Sequence, residues 1–291
     1  MAIINLASGI FMTRTLIWVP GSHIQSPSQS EHQMTISSSS LAIFAITGTL
    51  TVSAVDPVTA SLDASMADAL SGRFVADGDL TILPAVAPTQ GSAPPSYNYK
   101  EALPDYVNVL DIAHKLAPPA ALYAHLTGVW DHVMGGEFGV DSHVSEGDTS
   151  IATAALMFNL NPTAPPAGIV PLLISATGVH ANAIYSVVRR STLVSGTASF
   201  GELIITGSLL GGMTLTYSGT PPANYILFSN AEVSITLNEQ VATTATCTVD
   251  QECTVTDGIQ VVAVHVALTN ADIAGRIVSG DFFLAEAQAG N

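Results

Sequence analysis

Residues 233–237 read VSITL, a run in which apolar and polar side chains alternate strictly. Successive side chains of a β-strand point to opposite faces, so Val233, Ile235 and Leu237 share one face. Ser234 and Thr236 share the other face. This pattern is typical of a strand with one buried and one wetted side. The run therefore predicts a half-buried strand of an antiparallel sheet.

A second run, residues 261–268, reads VVAVHVAL and is apolar at almost every position. Val262, Val264 and Val266 fall on one face, and Val261 begins an equally apolar set on the other. Such a run indicates a strand buried on both faces, as at the centre of two packed sheets.

Further strand candidates are separated by glycine or proline pairs that mark turns. They are Ile151–Asn159, Leu172–Arg189, Thr197–Ile205, Met213–Tyr217, Tyr225–Phe228, Thr243–Cys247, Cys253–Thr256, Ile259–Leu268 and Ile277–Glu286. Leu70–Leu83 reads as a hairpin whose turn is Ala76-Asp77-Gly78-Asp79. These signals predict a mainly β protein, a two-sheet β-sandwich formed by residues 55–291 as a single domain.

The stretch 84–150 interrupts this pattern and is predicted as an insertion into the domain. Within Tyr106–Leu116, Val109, Ile112 and Leu116 lie at helical spacing. Ala120–Met134 is predicted as a second short helix before the break at Gly135. We therefore expect a short helical or loop insertion around residues 105–135.

The N-terminal region contains the apolar run Leu41–Val55, which reads LAIFAITGTLTVSAV. The run is too short to span a bilayer comfortably, and the chain offers no longer one, so no transmembrane segment is predicted. Its end, Val52-Ser53-Ala54, resembles a signal-peptidase site, which makes residues 1–54 a predicted leader and the protein secreted.

Without cleavage, the same run is a candidate donor strand that completes the open sheet edge of a neighbouring copy. The apolar residues that it would use are Leu41, Ile43, Phe44, Ile46, Leu50 and Val52.

Charge restricts the possible partners. The chain carries 23 acidic and 7 basic residues, a formal net charge of −16, and only 10% of its residues are charged. Phosphate backbones and anionic membranes attract basic residues, so nucleic acid and membrane surfaces are not expected partners. The dispersed carboxylates allow Ca²⁺ binding, but no stretch matches a calcium-loop pattern, and no cofactor is predicted.

Two cysteines, Cys247 and Cys253, flank a short polar turn between strand-like runs. Their spacing predicts a disulfide across a hairpin end, which implies an oxidising compartment. Zinc binding by this pair alone is disfavoured because a structural zinc ion usually has four ligands.

Catalytic signals are weak. His125, His132 and His143, with Asp141 nearby, are the one suggestive metal-ligand set, but their spacing matches no known motif. His180 and His265 are predicted as hydrogen-bonded residues within strands. The sequence contains no G-x-S-x-G elbow, so no catalytic residue is assigned and the protein is predicted not to be an enzyme. A hydrolase or metal-dependent enzyme is the least favoured alternative.

The C-terminal half resembles choice-of-anchor P family proteins, a group of secreted bacterial proteins. The matching stretches are Gly178–Tyr185, Ser195–Gly207, Val233–Gln240, Gly258–Leu268 and Ser279–Gly290. The resemblance implies an exported or surface β-domain and transfers no catalytic residue.

Two functional hypotheses follow. The first is an extracellular structural or assembly protein, a subunit of a surface layer, matrix or filament that associates with itself. The alternative is a secreted module that binds carbohydrate or a surface, with Tyr97, Tyr99 and Trp130 as ligand aromatics for a surface glycan.

Overall fold

The structure is a computed structural model that describes most of the chain after residue 62 and two short strands before it. The described residues are 3–8, 12–17, 63–76, 78–111, 121–139, 142–159, 170–189, 191–243, 258–273 and 275–291. The chain divides into two compact units, Met1–Val55 and Asp56–Asn291.

The first unit contains an antiparallel hairpin. Strand β1 (Ile3–Ser8) pairs with β2 (Met12–Ile17) in a register that joins Ile3 to Ile17 and Ser8 to Met12. The predicted donor-strand segment Leu41–Val52 lies outside the described residues.

The second unit contains two antiparallel sheets. Within the described residues, one sheet has six strands, which in chain order are β6 (Tyr97–Asp111), β7 (Ala121–Gly139), β8 (Ser142–Asn159), β9 (Leu172–Val188), β10 (Ser191–Thr206) and β11 (Thr214–Gly219). Their order across the sheet is β11-β10-β9-β8-β7-β6.

The other sheet has seven described strands. These strands are β3 (Ala64–Ala76), β4 (Asp79–Leu83), β5 (Thr89–Ser92), β12 (Tyr225–Ser229), β13 (Val233–Thr243), β14 (Gly258–Asp272) and β15 (Ile277–Gly290). Their order across the sheet is β12-β13-β14-β15-β3-β4, and β5 also pairs with β3. Helix in the described part is limited to the single 3-10 turn Ser208–Leu210.

The core lies between the two sheets. Phe158 of the six-stranded sheet packs against Phe74 and Phe282 of the seven-stranded sheet, with ring centroids 5.7 Å and 5.6 Å apart. Polar bonds also cross the interface, since the Thr149 hydroxyl donates to the Glu286 carbonyl over 2.8 Å. At Gly147 the sheets approach so closely that a Cβ atom would lie 2.5 Å from the Met66 carbonyl oxygen.

Four strands of the six-stranded sheet, β7 to β10, change their buried face at one aligned level. On β7, Leu126 and Val129 are both buried although they lie three residues apart, and Gly128 between them has φ +58°. On β9, Ala176 and Val179 flank Gly178, which has φ +56°. The registers place these two glycines at one level of the sheet. A row of face changes therefore crosses the sheet perpendicular to its strands.

The helices predicted at residues 106–116 and 120–134 are wrong in the described residues, and this row explains the second error. Residues 106–111 belong to β6 and residues 121–134 belong to β7. Because the face changes at Gly128, the buried residues Leu122, Leu126, Val129 and Val133 fall at positions i, i+4, i+7 and i+11. A strand with a shifted face thus reproduces the spacing of an amphipathic helix. The stretch 84–150, predicted as an insertion, supplies β5, β6, β7 and the first half of β8 to the sheets.

The strand predictions for the C-terminal half are confirmed where the structure describes them. Val233, Ile235 and Leu237 are buried, as their alternation indicates. Val261 and Val262 are both buried, as expected for a strand covered on both faces. The hairpin at Leu70–Leu83 is also confirmed, since Ala76 pairs with Asp79. The predicted strands around Cys247 and Cys253, and the disulfide itself, lie outside the described residues.

Candidate functional site

One lateral edge of the six-stranded sheet is the strand β6. Fourteen of its 15 residues, all except Pro104, pair with β7 on one side, and no described residue pairs with the other side. Val107 on this strand is 56% exposed, and Tyr99 and Val109 are also exposed. An edge of this length with apolar side chains is a ready template for another strand.

The opposite edge of the same sheet is open over half of its length. Strand β10 pairs with β9 from Ser191 to Thr206, whereas β11 covers it only from Phe200 onward. Residues 191–199 consequently lack a second neighbour among the described strands. Leu193 in this segment is 63% exposed, and Val194 is exposed as well.

The edges of the seven-stranded sheet are shorter. Its described border strands β12 and β4 have 5 residues each, and β5 has 4. Short edge strands are a common protection against pairing between sheets. The six-stranded sheet therefore carries the two longest open edge segments of the described domain, β6 and residues 191–199. Strand β6 also contains Lys100 and Pro104, residue types that limit strand pairing at an edge.

The three aromatic residues predicted to bind a glycan do not share one face. Tyr97 is 7% exposed, and its hydroxyl lies 2.7 Å from the Ser65 hydroxyl. Tyr99 is exposed and stacks on Tyr97 with centroids 5.9 Å apart. Trp130 lies on the opposite face, where the Lys100 ammonium sits 5.8 Å from its ring centroid. The sequence could not show that β6 turns its tyrosines away from Trp130.

The histidines predicted as metal ligands each have a separate partner. His125 lies 2.8 Å from an Asp105 oxygen, His132 lies 3.2 Å from the Asn98 amide oxygen, and His143 lies 2.5 Å from an Asp63 oxygen. His125 and His132 are seven residues apart on one strand, roughly 20 Å at strand spacing. Asp141 lies outside the described residues. No group of three or more His, Cys, Asp or Glu residues in the described part is arranged to hold a metal ion.

His180 and His265 are hydrogen-bonded strand residues, as predicted. His180 lies 2.9 Å from an Asp148 oxygen, and this hydrogen bond raises the pKa of His180. His265 is held on both sides, with Glu239 2.6 Å from Nδ1 and Asp281 2.9 Å from Nε2.

Sequence reasoning did not identify a set of buried carboxyl groups. Asp131 is 0% exposed, Asp68 is 2% exposed and Glu286 is 5% exposed. Burial raises the pKa of all three groups. The local signals are visible in retrospect, because Asp131 alternates with Val129 and Val133, and the other two acids are each flanked by alanines.

Comparisons with known proteins give little further guidance. No family model matches the chain, and no curated protein matches it. Among solved structures, it is similar to Ail, the attachment invasion locus protein of Yersinia pestis, at 9% identity over 79% of this chain and 97% of that chain. The TM-score of 0.16 is too low to indicate a shared fold. In the described part of the chain, no helix has the length and apolarity to cross a membrane.

Proposed function

We propose that this chain is a secreted structural protein, a two-sheet β-sandwich that associates with further copies of itself through the lateral edges of its six-stranded sheet. The observation that carries the proposal is the contrast between the edges. Strand β6 is 15 residues long and open on one side within the described residues, whereas β12 and β4 have 5 residues each.

Pairing at these edges would extend the sheet from one copy to the next. The two open segments lie on opposite sides of the sheet, so one copy can accept a neighbour at each side. Contacts of this kind that do not close into a ring generate a filament. Main-chain hydrogen bonds would supply the affinity, and the exposed valines and leucine would add cross-strand contacts.

Sequence features support the extracellular part of the proposal. These features are the apolar leader-like run Leu41–Val55, the cysteine pair Cys247 and Cys253, and the resemblance to choice-of-anchor P family proteins. Only 10% of the residues are charged, which suits a protein that buries its surface against identical neighbours.

The test is the substitution Val107→Lys on the exposed edge. Natural proteins often place lysine on edge strands to prevent strand pairing, because an incoming strand would remove water from the charged ammonium group. Self-association measured by sedimentation over a concentration series should weaken at least tenfold. Val75→Lys is the matched control, since Val75 is also an exposed valine but lies on β3 between β4 and β15. Equal behaviour of the two variants, or a wild-type protein that stays monomeric, would overturn the proposal.

A further inference from the structure

Asp68 and Glu286 face each other as direct cross-strand partners on β3 and β15. Both side chains are buried, and each is flanked by alanines that add no polar contact. Like charges directly opposite on neighbouring strands repel each other, and burial strengthens the repulsion. Two carboxylates in this position cannot both stay ionised at low cost, so the pair retains a proton.

The surroundings indicate which member keeps the charge. The side-chain amides of Gln260 and Gln288 both donate to one Glu286 oxygen, over 2.6 Å and 2.7 Å. Hydrogen bonds to the ionised form favour ionisation. Asp68, in contrast, has a buried oxygen without a hydrogen-bond partner among the described residues. Glu286 is therefore the carboxylate of the pair, and Asp68 is the acid.

Asp131 is a second buried acid nearby. Neither of its carboxyl oxygens has a hydrogen-bond partner in the described part of the chain. Its cross-strand neighbour Thr149 donates its hydroxyl to the Glu286 carbonyl instead. Burial of an ionised carboxylate without partners is strongly unfavourable, so the neutral form is preferred.

The charged groups that face these acids are mostly carboxyl groups. Glu101 from β6 and Asp148 from β8 act on Asp131, and Asp131 itself acts on Asp68 from β7. His265 on β14 acts electrostatically on Glu286 and lowers its pKa, but the two ring nitrogens of His265 contact Glu239 and Asp281. Ser71 on β3 lies within hydrogen-bonding reach of both Asp68 and Glu286, and its single hydroxyl proton can be donated to one of them at a time.

We propose that Asp68, Asp131 and Glu286 form a proton switch, in which the folded domain holds protons on Asp68 and Asp131 that the unfolded chain releases. Low pH then stabilises the folded domain, and high pH destabilises it. The switch does not depend on self-association, so it can be tested in a monomeric variant.

The direction follows from linkage. Burial raises the pKa of Asp131 to about 8, and burial with the neighbouring Glu286 raises the pKa of Asp68 well above its ordinary value. A raised carboxyl pKa stabilises the fold fully below the unfolded value near 4, and this contribution is lost as the pH rises towards 8. For each proton held, the unfolding constant increases about tenfold per pH unit across that window.

The test compares urea unfolding of the wild type and Asp131→Asn at pH 5, 7 and 9. Asparagine copies the neutral acid but does not titrate, so the unfolding constants of the two proteins should differ least at pH 5, by about tenfold. The difference should widen by at least a further tenfold between pH 5 and pH 9, with the variant having the smaller unfolding constant at pH 9. Glu202→Gln, an exposed site on β10, is the control and should follow the wild type at every pH.

A second measurement covers the case in which Asp131→Asn does not fold. Unfolding the wild type in weakly buffered urea at pH 7 should release protons, and Asp68→Asn should lower the number released. Parallel pH profiles for wild type and Asp131→Asn, or no proton release on unfolding, would overturn the proposal.

Discussion

Tyr97 occupies a slot that two glycines make possible. A Cβ atom on Gly91 or Gly135 would overlap the Tyr97 ring, so these two positions accept no side chain without movement. The ring is buried, and its hydroxyl meets the Ser65 hydroxyl at 2.7 Å. Burial raises the pKa of Tyr97, which therefore stays a neutral phenol. Tyr97, which the sequence suggested as a ligand contact, is part of the packing that joins β3, β5, β6 and β7.

The substitution Gly135→Ala should destabilise the domain. Its methyl group would lie 2.5 Å from the Tyr97 hydroxyl oxygen, and forced overpacking of this kind costs about 1–3 kcal/mol. The measurement is the free energy of unfolding in urea. In a Tyr97→Ala background the same substitution should cost less, because the clashing ring is gone. If the effects of the two substitutions on the free energy of unfolding are additive, Gly135 is not required by the Tyr97 ring.

At the scale of elements, the aligned face changes decide what the sequence could reveal. Strands that keep one face, such as the one beginning at Val233, were predicted correctly because their alternation is uninterrupted. Strand β7 was misread because Gly128 shifts its buried face by one residue. The seven-stranded sheet has the same feature, since Asn238 and Ala285 have φ +49° and +55° and lie at one level. A single sequence does not show that such breaks align across strands.

The carboxyl cluster was missed for a related reason. Periodicity indicates which residues of one strand share a face, but not which strands become neighbours. Asp68 and Glu286 come from opposite ends of the domain sequence and meet only because β3 pairs with β15. The sequence predicted that His180 and His265 are strand residues with hydrogen bonds. It could not predict which carboxylate each histidine contacts, because that depends on which strands pair.

The row of face changes can be tested at Gly128. In Gly128→Ala, a left-handed φ costs about 1–2 kcal/mol, and the new methyl group would lie 2.7 Å from the Ala152 Cβ atom. The free energy of unfolding should fall by about 2–5 kcal/mol when the cost of overpacking is added. Gly219→Ala is the matched control, since Gly219 has φ +88° but open space around it. Gly219→Ala should lose only the stability that the positive φ costs. Equal losses of unfolding free energy at the two sites would mean that close contact with the neighbouring strand adds nothing at Gly128.

At the scale of the whole molecule, the net charge of −16 opposes the contacts that the open edges favour. Copies with the same strong charge repel each other as they approach, and dissolved salt screens that repulsion. Edge pairing relies on main-chain hydrogen bonds and apolar contacts, which salt weakens little. The balance between repulsion and pairing should therefore depend on ionic strength.

Raising NaCl from 20 mM to 300 mM at fixed pH 7 should increase self-association, because the Debye length falls from about 20 Å to about 6 Å. Holding the pH constant keeps the buried carboxyl groups in one protonation state, so the effect reports on surface charge alone. Sedimentation velocity at each salt concentration measures the shift in the size distribution. Val107→Lys should remain less associated than the wild type at both salt concentrations, since screening does not restore a blocked edge. Dissociation on adding salt would mean that ion pairs join the copies, and the edges of the six-stranded sheet would then not be the contact.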